Sequence, residues 1–408
     1  MAKSKIENSK SIKLDTAFQR IQLPSFEECY SSSKPYVKYG DYNNFPEFLQ
    51  ELANRSALHN SIISSKVDYT YANGLELEGE HNLSTELFFN HPNPYEDLNS
   101  IYRKCIYDYI LYGCFALNVI WSNDCENISE IYHIDASKIR SGKKNDRGII
   151  DSYFFSDNWN KTAPRYKEIK PFRIDNRVGG QLLYFKEYRP GCFYYALPSY
   201  VGALNYIMID QEISNYHLSH LLNGMSPNFM ISFTNGVPTE EERIRIKRQL
   251  EGEYCGTDNA GRFIITYTDD PEKTPRVENL SADNLGDQFM QLQQQVLQNI
   301  LSGHKITSPM LVGIKTEGQL GGNTEIQNAF EIFYSTVIKP IQNDIINQFN
   351  NILKNTKFWN GNILKPTSSS PVSFTWSENI LSNILTVDEQ REMIGKEPVE
   401  TISDDQIK

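Results

Sequence analysis

Two histidines have the spacing that most directly suggests chemistry. His217 and His220 lie three residues apart in a segment with helical periodicity, so their imidazoles would share one face of a helix and could bind a metal ion. No Asp/Glu-x-x-His pattern lies nearby to complete the set of ligands. We therefore predict no metal site, and we interpret these histidines as structural.

Signatures of catalysis are also missing from the sequence. It contains no G-x-x-x-x-G-K-[ST] loop, and Gly318–Gly322 has neither the flanking strand nor the lysine of a phosphate-binding loop. No Gly-x-Ser-x-Gly elbow is present, and no cysteine stands among obvious histidine partners. We predict no catalytic residue and no cofactor. An enzyme of unrecognised type remains an alternative function.

Composition narrows the class of protein further. The six cysteines contain no C-x-x-C pair, which argues against a zinc knuckle and favours reduced thiols. The N-terminus has no apolar signal core and no run of eighteen apolar residues occurs, so we expect a soluble protein that is made in a cytoplasm and has no membrane partner. The net charge of -11 argues against a broad basic face that wraps nucleic acid, but not against a protein that lets DNA pass.

The histidines belong to the first of two long helices, predicted for about residues 199–222 and 282–302. Apolar side chains at 3-4-3 spacing predict one buried stripe on the first helix: Tyr206, Ile209, Ile213 and Tyr216. The second has an apolar face and a glutamine face: Leu285, Phe289, Leu292, Val296 and Ile300 against Gln291, Gln295 and Gln298. Both lack Lys and Arg, and their charges are acidic: Asp210, Glu212, Asp283 and Asp287. An ordinary pair of core helices is one interpretation of this pattern.

An insert of about residues 225–281 separates the two helices. Its pattern predicts a strand over Phe229–Phe233, a helix that begins after Pro238-Thr239, and a strand over Arg262–Thr268. The helix carries the basic residues Arg243, Arg245, Lys247 and Arg248. This basic face is either a solvated surface or an interface.

The first 198 residues are predicted to form one α+β domain. Residues 1–35 are polar and are expected to form a loose arm. Helices are predicted for Pro46 onward, for Ala57–Asp68 and for Pro94–Gly113, followed by an apolar strand over Phe115–Trp121. Further alternating runs predict strands: Ile131–Ile134, Ile149–Phe155 and Gln181–Tyr188.

Several short motifs, in this order, resemble the portal proteins of tailed bacteriophages. They include Asn223-Gly224-Met225-Ser226-Pro227, Asn259-Ala260-Gly261-Arg262 and Ser308-Pro309-Met310-Leu311-Val312-Gly313. Tyr39-Gly40, Asn73-Gly74-Leu75, Ile338-Lys339-Pro340 and Asp388-Glu389-Gln390-Arg391 extend the similarity over about residues 36–400. Ser308-Pro309 departs from the paired prolines of the family, and Asp388-Glu389 departs from its Asn-Glu.

The resemblance implies an α+β portal fold and a division of the chain. The implied parts are an N-terminal arm (1–35), the N-terminal wing (36–198), stem helix 1 (199–224), the clip (225–281), stem helix 2 (282–304), a tunnel loop (305–325), a long wing helix (326–356) and a C-terminal wing with a short crown (357–408). Family members form a twelve-subunit ring at one capsid vertex. The implied partners are the major capsid protein, the terminase large subunit, a tail adaptor protein and double-stranded DNA without sequence specificity.

Site residues follow from this division as expectations. The stem residues Asp210, Glu212, Asp287, Gln291 and Gln295 would lie at the channel wall or between adjacent subunits. An arginine-free stem would let a duplex slide without phosphate salt bridges. The four basic clip residues would meet the terminase or the adaptor. A capsid adaptor or minor structural protein is the alternative.

The glycine-rich run Ile306–Gln327 is predicted to be a mobile loop, because glycine adopts backbone angles closed to other residues. By the resemblance, about residues 313–323 would project into the channel and narrow it, with Lys315, Glu317 and Gln319 facing the DNA. An ordinary surface connection is the alternative.

Overall fold

The computed structural model describes residues 26, 28–30, 33–80, 82–161, 163–223, 230–233, 239–246, 264–267, 285–315 and 323–367, and these form an α+β fold. The strands are β1 (Glu28–Cys29), β2 (Lys38–Tyr39), β3 (Leu75–Glu78), β4 (Cys114–Trp121), β5 (Ile128–Ile134), β6 (Ile139–Ser141), β7 (Tyr153–Phe155), β8 (Lys167–Pro171), β9 (Gly180–Lys186), β10 (Met230–Phe233), β11 (Ile264–Tyr267) and β12 (Ile363–Pro366). The longer helices are α1 (Phe45–Arg55), α2 (Ala57–Tyr71), α3 (Leu83–Asn90), α4 (Leu98–Tyr112), α5 (Leu204–Asn223), α6 (Leu285–Gly303), α7 (Asn323–Phe333) and α8 (Lys339–Leu353).

The largest sheet in the described part has the order β5-β4-β9-β8-β7-β6. β4 pairs with β5 and β9 in antiparallel registers and is buried along most of its length, which explains its continuous apolar sequence. The β8–β9 pair is parallel, with Lys170 opposite Gln181. Helices α1, α2 and α4 pack over the β4 end of the sheet and share its core. We call the sheet and these helices the sheet domain.

Local signals fix the ends of the packed helices. The Ser56 side chain accepts a hydrogen bond from the His59 N–H and caps α2, and Asp97 caps α4 through the Ser100 N–H. Gly113 ends α4 with φ +80°, and a Cβ there would lie 2.7 Å from the Leu197 carbonyl oxygen. These caps place α1, α2 and α4 where the sequence predicts them, although α4 begins at Leu98 rather than at Pro94 because Asp97 is its N-cap.

A buried arginine joins α1 to β6. Arg140 has no solvent exposure, and its guanidinium donates to the Asn43 side chain (2.7 Å), the Asn43 carbonyl (2.7 Å) and the carbonyls of Ser137 and Ile139. Glu47 of α1 lies 3.5 Å from the same guanidinium. Because most of its donors have partners, Arg140 serves as a structural connection inside the sheet domain.

The C-terminal helices follow one another without a break over residues 323–353, close to the long helix predicted for residues 326–356, but they contain an irregular turn. A π-helical turn, Tyr334–Ile338, joins α7 to α8. Pro340 has no backbone N–H, and its ring would clash with the Thr336 carbonyl in a regular α-helix. The wider π turn accommodates the proline.

Between α5 and α6, the described residues agree with the predicted strand-helix-strand insert. β10 and β11 pair in parallel, and residues 240–246 between them are helical. Parallel strands need a crossover connection, which is usually a helix. Thr239 and Glu242 form a reciprocal capping box: the Glu242 carboxylate accepts from the Thr239 N–H, and the Thr239 hydroxyl accepts from the Glu242 N–H.

Three local predictions for the sheet domain were wrong. Helix α3 was not predicted, and only Tyr153–Phe155 of the run Ile149–Phe155 is a strand. The end of the expected loose arm is packed, since Phe26 contacts the rings of Tyr39 and Phe45. These elements depend on contacts with distant residues, which local periodicity does not report.

The helix pair and its junction with the sheet domain as the candidate functional site

The two helices α5 and α6 lie against each other and meet the sheet domain at one end, and we call them the helix pair. Their junction is closely packed. A Cβ on Gly303, the last residue of α6, would lie 2.4 Å from the Cβ of Ala203, in the 3-10 turn that precedes α5. Ala203 is 2% exposed, so it has little room to move. The glycine is therefore required for this close approach.

We expect Gly303→Ala to lower the free energy of unfolding by about 1–2 kcal/mol, because overpacking costs more than the helix propensity of alanine returns. Urea denaturation followed by circular dichroism measures the change. Gly202→Ala is the matched control, because nothing lies within 4 Å of its added Cβ. Adding Ala203→Gly to Gly303→Ala should restore stability. A fully stable single variant would contradict the close packing.

A buried histidine pair links α6 to α2 at the same junction. The His59 Nδ1 and the His304 Nε2 are 2.9 Å apart, and both side chains have no solvent exposure. The ring of Tyr200 stacks on His304 and meets His59 edge-on, and its hydroxyl donates to the Leu111 carbonyl (2.7 Å). The outer ring nitrogens, His59 Nε2 and His304 Nδ1, have no hydrogen-bond partner among the described residues. One imidazole must be the donor and the other the acceptor, so the contact fits two neutral rings.

Burial sets the protonation of this pair. It lowers the pKa of His59 to about 3 and holds the pKa of His304 well below its ordinary value, with the charge of Lys66 acting in the same direction. Lys66 is itself 2% exposed, and burial followed by the charge of Lys305 lowers its pKa to about 8. It lines a cavity of about 100 Å³ together with Lys305, Glu187 and Asp344. The junction is thus a buried polar network between three parts of the chain.

Among the predicted channel residues, Asp210 has a partner in its own chain. Its Oδ2 accepts a hydrogen bond from the Ser56 hydroxyl at 2.6 Å, at the N-terminus of α2, where a helix favours negative charge. Glu212, Gln291 and Gln295 are exposed on the helix pair. Asp287 belongs to α6, and its side chain lies outside the described part. The assignment of these residues to a channel wall stays a prediction.

The predicted buried stripe of α5 was partly wrong. Ile213 is buried, but Tyr216 is 44% exposed, and Ile207 is the fully buried residue of the first two turns. On α6, Val296 and Ile300 are buried as predicted, opposite exposed glutamines. The difference arises because the first turns of α5 are surrounded by the sheet domain, while its later turns leave it.

The first part of the predicted loop Ile306–Gln327 is anchored to the packed domain. Leu311 and Val312 are buried in the 3-10 turn Pro309–Val312. This turn is held against α2, because Tyr69 donates its hydroxyl to the Leu311 carbonyl (2.7 Å) and Ser61 donates to the Val312 carbonyl (3.3 Å). The apolar patch that was assigned to a mobile loop is therefore part of the packed domain. Lys315 is exposed, whereas Glu317 and Gln319 lie outside the described residues.

The remaining candidate residues lie on exposed surfaces. Arg243 and Arg245 are exposed on the insert helix, and Lys247 and Arg248 lie outside the described residues. His217 is exposed on α5, while the side chain of His220 lies outside the described part. Within the described ranges, no group of three or more His, Cys, Asp or Glu side chains could hold a metal ion. No described helix combines the length and apolar character needed to cross a membrane.

Sequence reasoning missed the histidine pair and the Ser56–Asp210 bond. Periodicity contained part of the signal, because His59, Ile62, Ile63 and Lys66 repeat at helical spacing and so predict one inward face of α2. The spacing within α2 did not indicate which residues these side chains contact, because His304 is 245 residues away from His59 along the chain.

Comparison with known proteins assigns the family. Residues 65–395 match the family model described as Phage portal protein. Because this match covers most of the 408 residues, the chain belongs to the phage portal protein family. Members of the family are structural proteins of the head-to-tail connection rather than enzymes.

Similar sequences and structures agree with the family. The chain is 23% identical over 331 residues to an uncharacterized protein of Rickettsia bellii (strain RML369-C), covering 76% of this chain and 80% of that protein. It also superimposes on a chain from the neck of an empty GTA particle computed with C6 symmetry, with a TM-score of 0.58, 16% identity, and coverage of 86% of this chain and 94% of that one. A chain from the neck of a native GTA particle computed with C12 symmetry gives a TM-score of 0.55 at 16% identity, with the same coverage. At these identities the likeness to the two neck chains shows the fold.

Proposed function

We propose that twelve copies of this chain form a ring at one vertex of a capsid and that double-stranded DNA enters and leaves through its centre. Membership of the portal family and the likeness to chains of particle necks are the observations that carry this proposal. In the proposed ring, the sheet domain is the wing, the helix pair is the stem and the insert is the clip. The major capsid protein would surround the wing.

The mass of the purified protein tests the ring directly. Native mass spectrometry should detect an assembly of about twelve times the 47.0 kDa chain. Electron micrographs along its axis should show a central channel. A monomer that still joins capsids would instead indicate a capsid adaptor or minor structural protein. A monomer with catalytic turnover would indicate an enzyme.

The stem is proposed to line the channel with acidic and amide side chains. Glu212→Lys should then place a ring of positive charge beside the DNA and slow packaging several-fold, because each added phosphate contact increases friction. Packaging rate per particle is the measurement, and ring mass is checked in parallel. Glu212→Gln is the control, since it removes the charge without adding a cation. Normal packaging by Glu212→Lys rings would exclude a channel position for this residue.

The clip is proposed to dock the terminase large subunit and then a tail adaptor protein. Arg243 and Arg245 are exposed on a helix whose start is fixed by a capping box, and their positive charge would steer an acidic partner. Replacing Arg245 and Arg248 with Glu should reduce the rate of terminase association about tenfold or more while rings still assemble. Association kinetics at two salt concentrations provide the measurement. Unchanged kinetics would make this helix a solvated surface.

The segment after Lys315 is proposed to narrow the channel. Lys315 is exposed three residues after the anchored turn Pro309–Val312 and is the last described residue before this segment. Lys315, Glu317 and Gln319 would then contact DNA transiently. Cysteine cross-linking of Lys315→Cys to packaged DNA would test their position, and a label at the exposed Lys354→Cys on α8 is the comparison.

A further inference from the structure

The sheet domain contains a basic region, although the net charge of the whole chain is acidic. Residues 138–178 contain eleven Lys and Arg but five Asp and Glu, an excess of six positive charges. Since the whole chain has a net charge of -11, the other residues carry -17. We call residues 138–178 the basic lobe.

The strand order of the large sheet places the residues of the basic lobe at one end of that sheet. The basic lobe contains β6, β7 and β8, which are the last three strands in the order of the large sheet. Antiparallel registers place Phe155 between Ile139 on one side and Lys167 on the other, so the three strands form one continuous surface. α4 packs on β4 and β5, the first two strands in the same order. The lobe is therefore a distinct basic surface at one end of the sheet.

Carboxylates do not neutralise most of this surface. Eight of its cations have no ion pair among the described residues: Lys138, Lys143, Lys144, Arg147, Lys161, Arg165, Lys167 and Arg177. Elsewhere in the described part, several exposed cations are paired: Arg103 with Asp68, Lys357 with Glu126 and Lys365 with Glu78. Like charges held close together repel one another and weaken the folded state. An uncompensated cluster in an acidic protein therefore suggests an anionic partner.

Packed aromatic side chains hold part of the backbone that carries these cations. Trp159 is 3% exposed, and its Nε1 donates to the Lys138 carbonyl at 2.9 Å, which ties the loop after β7 to the start of β6. Tyr166 packs against Phe154 and stacks on Trp159, so the residues before β8 are held as well. Lys138 and Lys167 therefore extend from backbone that is held by these contacts, so binding orders mainly their side chains.

We propose that the basic lobe is a second nucleic-acid contact of this protein, which binds the phosphate backbone of duplex DNA without regard to sequence. Six of its eleven cations are lysines, which are common at phosphate contacts and depleted from protein interfaces. At physiological salt, charges more than about 10 Å apart are largely screened from each other. DNA bound at the lobe would therefore interact mainly with the lobe's positive charges, although the chain as a whole is acidic. This contact is separate from the helix pair and does not require DNA to pass through a ring.

Fluorescence anisotropy with a labelled duplex of about 30 base pairs tests the contact, using the full-length protein at about 50 to 200 mM salt. Lys161→Glu with Lys167→Glu should weaken binding about tenfold or more and reduce the slope of log K against log salt by about 2. Lys339→Glu with Lys354→Glu is the control, because both lysines are exposed on α8 and the change in net charge is identical. This control should bind DNA as the unaltered protein does.

Three outcomes would overturn the proposal. They are no salt-dependent binding by the unaltered protein, equal losses in both double variants, and a lobe variant that binds DNA normally but no longer binds an acidic capsid protein. Circular dichroism of both variants confirms that each is folded. Ring mass is measured on the same samples, so a negative DNA result leaves the proposed ring intact, and a negative ring result leaves the DNA contact intact.

Discussion

Replacing Arg140 with methionine is expected to lower the free energy of unfolding by about 3–5 kcal/mol. The guanidinium has no solvent exposure and donates to three backbone carbonyls and to the Asn43 side chain. Methionine fills similar space but removes all of these donors, and only the Asn43 side chain is known to keep another one, the Tyr39 N–H at 3.0 Å. It also removes the partner of Glu47, which lies 3.5 Å away. Urea denaturation at fixed protein concentration measures the loss.

Arg173→Met is the matched control for this substitution. Arg173 is exposed and has one ion pair, to Asp151 at 3.5 Å, so its replacement should change stability by less than about 1 kcal/mol. Arg140→Lys should fall between the two, because one ammonium cannot reach all the acceptors of a planar guanidinium. If Arg140→Met were as stable as Arg173→Met, Arg140 would not be the connection between α1 and β6.

The second large effect is a loss of stability in mild acid. The pKa of His59 is about 3 in the folded chain and 6.5 when unfolded, so between these values the unfolded chain binds more protons. Stability therefore falls as pH decreases from about 6.5. From pH 7.5 to pH 5 the loss from His59 alone is about 2 kcal/mol, and His304, whose pKa is also lowered, adds to it.

Urea denaturation at both pH values measures this loss, and a double variant identifies its source. Replacing His59 and His304 with leucine removes both titrating rings, so the fall in stability between pH 7.5 and 5 should shrink. The exposed His91→Gln should leave the fall unchanged. The neighbouring Lys66, Lys305 and Glu187 remain in all variants and do not change the comparison. An equal acid loss in the double variant would assign the effect to other groups.

Physically, protonation acts on the junction between the helix pair and the sheet domain. Two imidazolium rings 2.9 Å apart cannot share a hydrogen bond and would repel each other beside Lys66. We therefore expect the end of α6 to separate from α2 before the sheet itself unfolds. Hydrogen exchange at pH 5 should show faster exchange at residues 300–304 than in β4.

Helices and strands with strong local patterns could be predicted from the sequence alone. The 3-4 spacing on α6 predicted Val296 and Ile300 as buried, and Thr239 with Glu242 predicted the start of the insert helix. The apolar run Phe115–Trp121 predicted strand β4, and Gly113 predicted the end of helix α4. Each of these features depends on residues within one or two turns of each other, so the sequence contains the whole physical cause. The order of short motifs was also sufficient to predict the family.

Tertiary structure alone decided how distant residues meet. Asp210 accepts a hydrogen bond from Ser56, which is 154 residues away, and the spacing of residues on α5 did not indicate this partner. Leu311 and Val312 looked like part of a loop, but carbonyls of their turn bind α2. The basic lobe was hidden by the average charge until β6, β7 and β8 were placed side by side. Such contacts depend on which distant segments of the chain fold against each other, and the local spacing of residues does not specify this.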